Sequence, residues 1–241
     1  ERIRTSTSPI PTSLALFGYV FTSAGIALLL RGGWREVLLA AALGLVVGFI
    51  RRRSQRLSES TQPFWPLVSA MVVSITVFSL ARVIDELILF PALAAPLVTF
   101  LPGALLTTGV LELATGQIVA GAARVASGAM RLLLLALGIV AGVQLVGVPG
   151  DGTGTPPAGP VGAILPWIGV AVFGVGAVWF HGARRSSLIW ILMALYTAYA
   201  GQVIGGLFFG SALSAFFGAT LMTLTALLIA RQRSGPTPLV T

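Results

Sequence analysis

The chain is 241 residues long, with 56% hydrophobic and only 9% charged residues and a mean hydropathy of +0.96. A soluble domain carries about a quarter charged residues, so this composition excludes a water-soluble monomer and implies a polytopic all-α integral membrane protein embedded in a lipid bilayer. The net charge of +8 comes from fifteen basic residues, all arginine, which lie between apolar runs; that is the pattern of membrane loops, not of a nucleic-acid groove.

A helix crossing about 30 Å of hydrocarbon needs roughly 20 apolar residues. Runs of that order fall at 12–30, 36–50, 64–84, 88–110, 126–148, 163–180, 187–205 and 209–230, which predicts about eight spans, the second short and the fourth broken. With the first residues cytoplasmic, the inner side receives Arg2, Arg4, Arg51, Arg52, Arg53, Arg56, Arg124, Arg131, Arg184, Arg185, Arg231 and Arg233. The outer side receives Arg31, Arg35 and Arg82. This bias places both ends of the chain in the cytoplasm and the pair Asp85 and Glu86 outside.

The early part of the chain is read as a first transmembrane repeat of about five spans, 1–148. A Pro/Gly-rich outer loop, 149–161, cannot continue a helix. Its glycines lack the following Lys-Ser/Thr of a phosphate loop, and the chain has no lysine. An incomplete second repeat of about three spans follows, 162–241. The repeat rests on matched elements. Arg31-Gly32-Gly33-Trp34-Arg35 and His181-Gly182-Ala183-Arg184-Arg185 each follow a first span. Ala81-Arg82 and Ala230-Arg231 each end a third span, and Pro96-Leu97-Val98-Thr99 is echoed by Pro238-Leu239-Val240-Thr241. Five spans per repeat would give the halves opposite topology, and paired repeats with interrupted helices mark secondary transporters. The chain starts at Glu1 and stops before a second Pro-Gly, which is read as truncation at both ends.

The fourth run holds Pro91, Pro96 and Pro102, with Gly103 next. Each proline removes a backbone donor and frees a carbonyl that protein, water or a solute must satisfy. Two readings stand side by side: a packing kink, or a site where Pro102, Gly103, Thr107 and Thr108 hold a zwitterionic solute, with the helix N-terminus after Gly103 facing its carboxylate. Glu112, three turns on, is a proton-coupling candidate or a solvated helix-end residue. Arg124 and Arg131 share a helix face and either attract a carboxylate or snorkel to the surface. Glycine pairs at Gly44/Gly48, Gly138/Gly142, Gly201/Gly205 and Gly206/Gly210 predict close helix contacts.

From Leu101 to Gly147 the order is Pro102-Gly103, eight residues, Glu112, three residues, Gly116, four residues, then Gly121-Ala122-Ala123-Arg124 and a long apolar helix. This pattern resembles the signature of the threonine/serine exporter family, with Gly116, Gly121 and Arg124 as its structural positions. The remaining spans, the basic loop at 181–185 and the Arg-x-Arg-x-x-Pro segment at 231–236 resemble it in order and length. The resemblance implies ten spans in two halves and proton-driven export of L-threonine and L-serine through the plasma (inner) membrane. The leading segment common in the family is absent here, as are the last two spans. The role given to Thr107 and Thr108 comes from the residues, not from the family.

A membrane enzyme would need a nucleophile with its base, or a metal cluster. With no cysteine, a single histidine (His181) and no His-Glu-x-x-His or Gly-x-Ser-x-Gly motif, neither an enzyme nor a metal or other cofactor is expected. A passive channel or a non-transporting subunit fits the same composition, and a homo-oligomer is left open.

Overall fold

The computed structural model describes residues 12–54, 59–84, 86–147, 159–183 and 187–232. Most of the Pro/Gly-rich loop, Asp85, Arg184, Arg185, Arg233 and the Pro238–Thr241 echo lie outside the described residues. All regular structure among the described residues is helical. The nine α-helices are α1 Thr12–Leu29, α2 Trp34–Ser54, α3 Trp65–Leu80, α4 Leu89–Leu97, α5 Gly103–Ala114, α6 Ile118–Val146, α7 Gly159–His181, α8 Leu188–Phe209 and α9 Ser211–Gln232.

Eight apolar runs become nine helices because the fourth breaks. Its halves, Leu89–Phe100 and Gly103–Ala114, meet at 59°, the geometry of a broken span or of a re-entrant pair. Five other helices, α3 and α6 to α9, are long and apolar enough to cross a bilayer on their own. Helix α1 is apolar but short, its uninterrupted apolar part being Leu14–Leu29. Helix α2 is longer than its apolar run and carries Arg35, Glu36, Arg51, Arg52 and Arg53 at its two ends. The chain is thus a multi-pass helical membrane protein. The fifth span was expected from residue 126, but α6 starts at Ile118. A helix packed on one face tolerates polar side chains on another, so Arg124, ahead of the expected start, lies within the helix together with Arg131.

The core joins α2, α3, α4 and α6 through Leu43, Val47, Val73, Val77, Ala92 and Leu135. Small residues let these helices approach closely. A Cβ on Gly48 would sit 2.7 Å from the Tyr19 ring of α1, and Gly138 and Gly142 press on Leu67 and Ser74 of α3. The Ser74 hydroxyl donates to the Ile139 carbonyl across that contact at 2.8 Å. Gly201 and Gly205 face Phe217 of α9. The fourth expected pair behaves differently. Gly210 has φ +79° and nothing within 4 Å, so it ends α8 as a turn and makes no close helix contact.

Helices α1 and α7 form an extensive contact between the early and late parts of the chain. Gly18 lies against Phe180, Thr22 against Gly176, Gly25 against Phe173 and Leu29 against Gly169, so the two helices run antiparallel. Adding 151 to the α1 numbers turns Gly18, Thr22, Gly25 and Leu29 into Gly169, Phe173, Gly176 and Phe180. The contact therefore maps onto itself: Gly18 with Phe180 becomes Gly169 with Leu29, and Gly25 with Phe173 becomes Gly176 with Thr22. Such an interface has a local two-fold axis across the helix pair.

Candidate functional site

The break between α4 and α5 is where Pro102 opens the backbone, while Pro91 and Pro96 lie inside α4, so carbonyls at the break need partners. After α4 the chain makes one 3₁₀ turn, Val98–Phe100. Pro102 supplies no N–H, and the Val98 carbonyl takes the Leu101 N–H at 3.1 Å instead. The Thr99 carbonyl is taken by a side chain from elsewhere: Arg51 Nη1 of α2 donates to it at 2.8 Å. Beyond the break, the Pro102 carbonyl accepts from Leu106 N–H at 3.0 Å, which starts α5. The Arg51 guanidinium also lies over two aromatic rings, Phe100 at 5.6 Å and Phe180 of α7 at 5.4 Å.

The other end of α4 is held by the same helix. The N–H of Ile88, the residue capping α4, donates to Glu36 Oε1 at 2.9 Å. Glu36 is only 3% exposed. Helix α2 thus sets a carboxylate at the N-terminus of α4 and a guanidinium at its carbonyl end, each opposite in sign to the helix dipole there. The fifteen residues from Glu36 to Arg51 rise about 22 Å, against about 17 Å from Ile88 to Thr99, and the long arginine side chain spans the difference.

After the break, α5 and α6 form a hairpin whose turn is built by the spaced glycines. Gly116 has φ +84°, a conformation that costs an L-residue about 1 kcal/mol or more. The Gln117 N–H closes the turn on the Glu112 carbonyl at 2.8 Å. Gly121 then crosses Gly109 so closely that a Cβ would lie 2.7 Å from the Gly109 carbonyl oxygen. This approach brings Arg124 Nε to 2.9 Å from Glu112 Oε2. The charged residues of the motif are partners across a hairpin that its glycines shape.

Pro102 is buried, while Gly103 is exposed, with nothing within 4 Å of a Cβ built on it. Thr107 and Thr108 are exposed, and their hydroxyls donate to their own helix, Thr107 to the Gly103 carbonyl at 2.9 Å and Thr108 to the Ala104 carbonyl. Their lone pairs stay open to acceptor roles. Arg131 is exposed two turns beyond Arg124. Among the described residues, no group of three or more His, Asp or Glu side chains could hold a metal. Sequence reasoning missed Glu36 and counted Arg51 only as an inner-side charge. The available signal was a span with opposite charges at its two ends, next in the fold to a helix interrupted by prolines.

Comparison with known proteins points to one family of membrane proteins. The family described as "Putative threonine/serine exporter" matches residues 1–146, which include the broken helix and the whole hairpin. Similar curated proteins are yeast proteins named "Pheromone-regulated membrane protein 10". The one from Debaryomyces hansenii is 32% identical over 119 residues, 48% of this chain and 12% of the relative. The one from Kluyveromyces lactis is 28% identical over 194 residues, 78% of this chain and 20% of the relative. The chain therefore spans a fifth or less of the length of these relatives. No solved structure matches it.

Proposed function

The chain belongs to the threonine/serine exporter family, and on that footing we propose that the whole protein is a secondary transporter exporting L-threonine and L-serine from the cytoplasm in exchange for protons. The observation that carries this reading is the bent span Leu89–Ala114, a helix interrupted within the bilayer and flanked by charged side chains. Interrupted helices of this kind bind solutes in secondary transporters because they offer backbone groups and dipole ends at membrane depth. The solute is held beside Pro102 and Gly103, with Thr107 and Thr108 as hydroxyl partners. Glu112 carries the proton: as a carboxylate it holds Arg124, and protonation removes that hold. Gly116, Gly121 and Arg124 keep the hairpin in shape.

The proposed halves, 1–148 and 162–241, are inverted repeats, and the self-matching antiparallel contact of α1 with α7 supports that division. The protein sits in the plasma (inner) membrane, with both ends of this stretch in the cytoplasm. The test is export of labelled L-threonine from preloaded cells making the full-length protein, with and without a protonophore. Saturable export that the protonophore stops and unlabelled serine suppresses is the expected result. Non-saturating flux would mark a channel. No export above the empty vector, with the protein in the membrane, would remove the threonine assignment.

A further inference from the structure

We propose that Arg51 is the residue that binds the carboxylate of the transported solute, and that in the state described here the Thr99 carbonyl occupies the place of that carboxylate. This rests on the transporter reading and names a recognition residue outside the motif.

Four observations carry it. First, Arg51 does not simply point to the membrane surface. It is partly buried and donates to the Thr99 carbonyl, in the turn between α4 and α5. Second, the guanidinium lies over Phe100 and Phe180, which come from the broken helix and from α7. Tyr19 of α1 packs edge-on against Phe180 at 4.9 Å. These faces hold the cation in place when its hydrogen-bond acceptor changes. Third, Thr99 Oγ1 is buried with no partner among the described residues, beside the carbonyl that Arg51 holds. A buried hydroxyl without a partner is costly unless some state of the protein uses it. An amino-acid solute brings the groups that would satisfy it.

The fourth observation is the difference between the two ends of α4. Glu36 is sealed at 3% exposure and anchors the helix, whereas the Arg51 end is partly open. Only the second can exchange its partner with a solute. A carboxylate outcompetes a neutral carbonyl for arginine, because charge-assisted and bidentate hydrogen bonds are stronger. Binding would then free the Thr99 end of the half-helix while Glu36 keeps the other end fixed. Solute recognition and movement of the break become one event.

The test uses L-threoninol, which keeps the amine and side-chain hydroxyl of threonine but replaces the carboxylate with a hydroxymethyl group. Uptake of labelled L-threonine by proteoliposomes holding the full-length protein is competed with either compound. The wild type should prefer threonine by about tenfold or more, the ratio a charge-assisted hydrogen bond supplies. Arg51→Gln should lose that preference, and Arg51→Lys, a point charge without the planar fork, should fall between. A role confined to holding α4 would weaken both competitors together, and an unchanged ratio in either variant overturns the proposal. Should Arg51→Gln fail to reach the membrane, Arg51→Lys and the wild type still decide. Equal competition by both compounds in the wild type removes the carboxylate site and leaves the exporter standing. No saturable threonine uptake by the wild type removes both.

Discussion

Glu112 and Arg124 are twelve residues apart in the chain and 2.9 Å apart in space, joined across the α5–α6 hairpin as an ion pair. The pair joins the acid and the arginine of the motif. Each needs the other at a distance that only the intervening glycines permit, since Gly116 turns the chain and Gly121 lets the helices meet.

If the pair is the proton-sensitive element, its two members act as a unit. Glu112→Gln should abolish gradient-driven export while threonine exchange stays measurable. Arg124→Gln should lose the same component, and the double variant should be no worse than either single one, because coupled residues are not additive. The measurement is protonophore-sensitive export beside exchange in the same cells. Normal export by Glu112→Gln would end the proton assignment.

The hairpin glycines make a graded series. Gly121→Ala drives a Cβ into backbone, 2.7 Å from the Gly109 carbonyl oxygen and 2.8 Å from the Leu113 nitrogen, and backbone cannot step aside. Gly116→Ala meets nothing within 4 Å but is strained at φ +84°, by about 1 kcal/mol. Gly103→Ala meets neither obstacle and should fold as the wild type does. Thermal melting of the purified protein in detergent should rank the stabilities Gly103→Ala, then Gly116→Ala, then Gly121→Ala lowest. A Gly121→Ala protein as stable as Gly103→Ala would contradict the close crossing.

The anchor at the start of α4 can be tested without touching the proposed solute site. Glu36→Ala leaves the partly buried Ile88 N–H without its acceptor, a loss of about 1 kcal/mol. Glu36→Gln keeps an acceptor oxygen and should cost less. Melting in detergent should place Gln between wild type and Ala. Equal losses for Gln and Ala would mean that the charge matters rather than the hydrogen bond.

Much of the fold was legible because hydropathy reports spans directly: α1 and α9 follow their apolar runs within two residues, whereas α7 starts at Gly159, inside the loop expected over 149–161, and α8 runs four residues past its run to Phe209. The break was legible from Pro102, since a missing N–H is written in the sequence. The start of α6 was not, because Arg124 and Ser127 interrupt the apolar run on an exposed face that hydropathy alone cannot separate from a loop. The Glu112–Arg124 pair was out of reach for a similar reason. A twelve-residue separation means nothing until the turn at Gly116 is known. Glu36 and Arg51 were hardest, because their meaning lies in the length of a different helix. The α1–α7 contact was hidden by its spacing: Gly18 and Gly25, like Gly169 and Gly176, are seven residues apart, not the four of a small-residue pair motif.

That contact gives the most direct check on the architecture. Phe21 and Trp179 meet edge-on with ring centroids 5.1 Å apart, and they belong to the two helices that the repeat reading treats as counterparts. The chain has no cysteine, so Phe21→Cys with Trp179→Cys introduces the only thiols of this stretch. A short bis-maleimide should join them within one chain, while Phe21→Cys with Phe209→Cys, at the C-terminal end of α8, should not react. Engineering a protease site into the loop between α6 and α7 turns the result into a band shift on a denaturing gel. If the first pair fails to join while both thiols label singly, α1 and α7 are not packed as described. The two-fold relation between the halves would then lose its support. If it joins, the antiparallel order predicts a second pair at the other end of the contact, Leu29→Cys with Ile168→Cys, next to the Gly169 that Leu29 packs against. A parallel arrangement would put those positions at opposite ends of the helices, beyond the reach of any short linker.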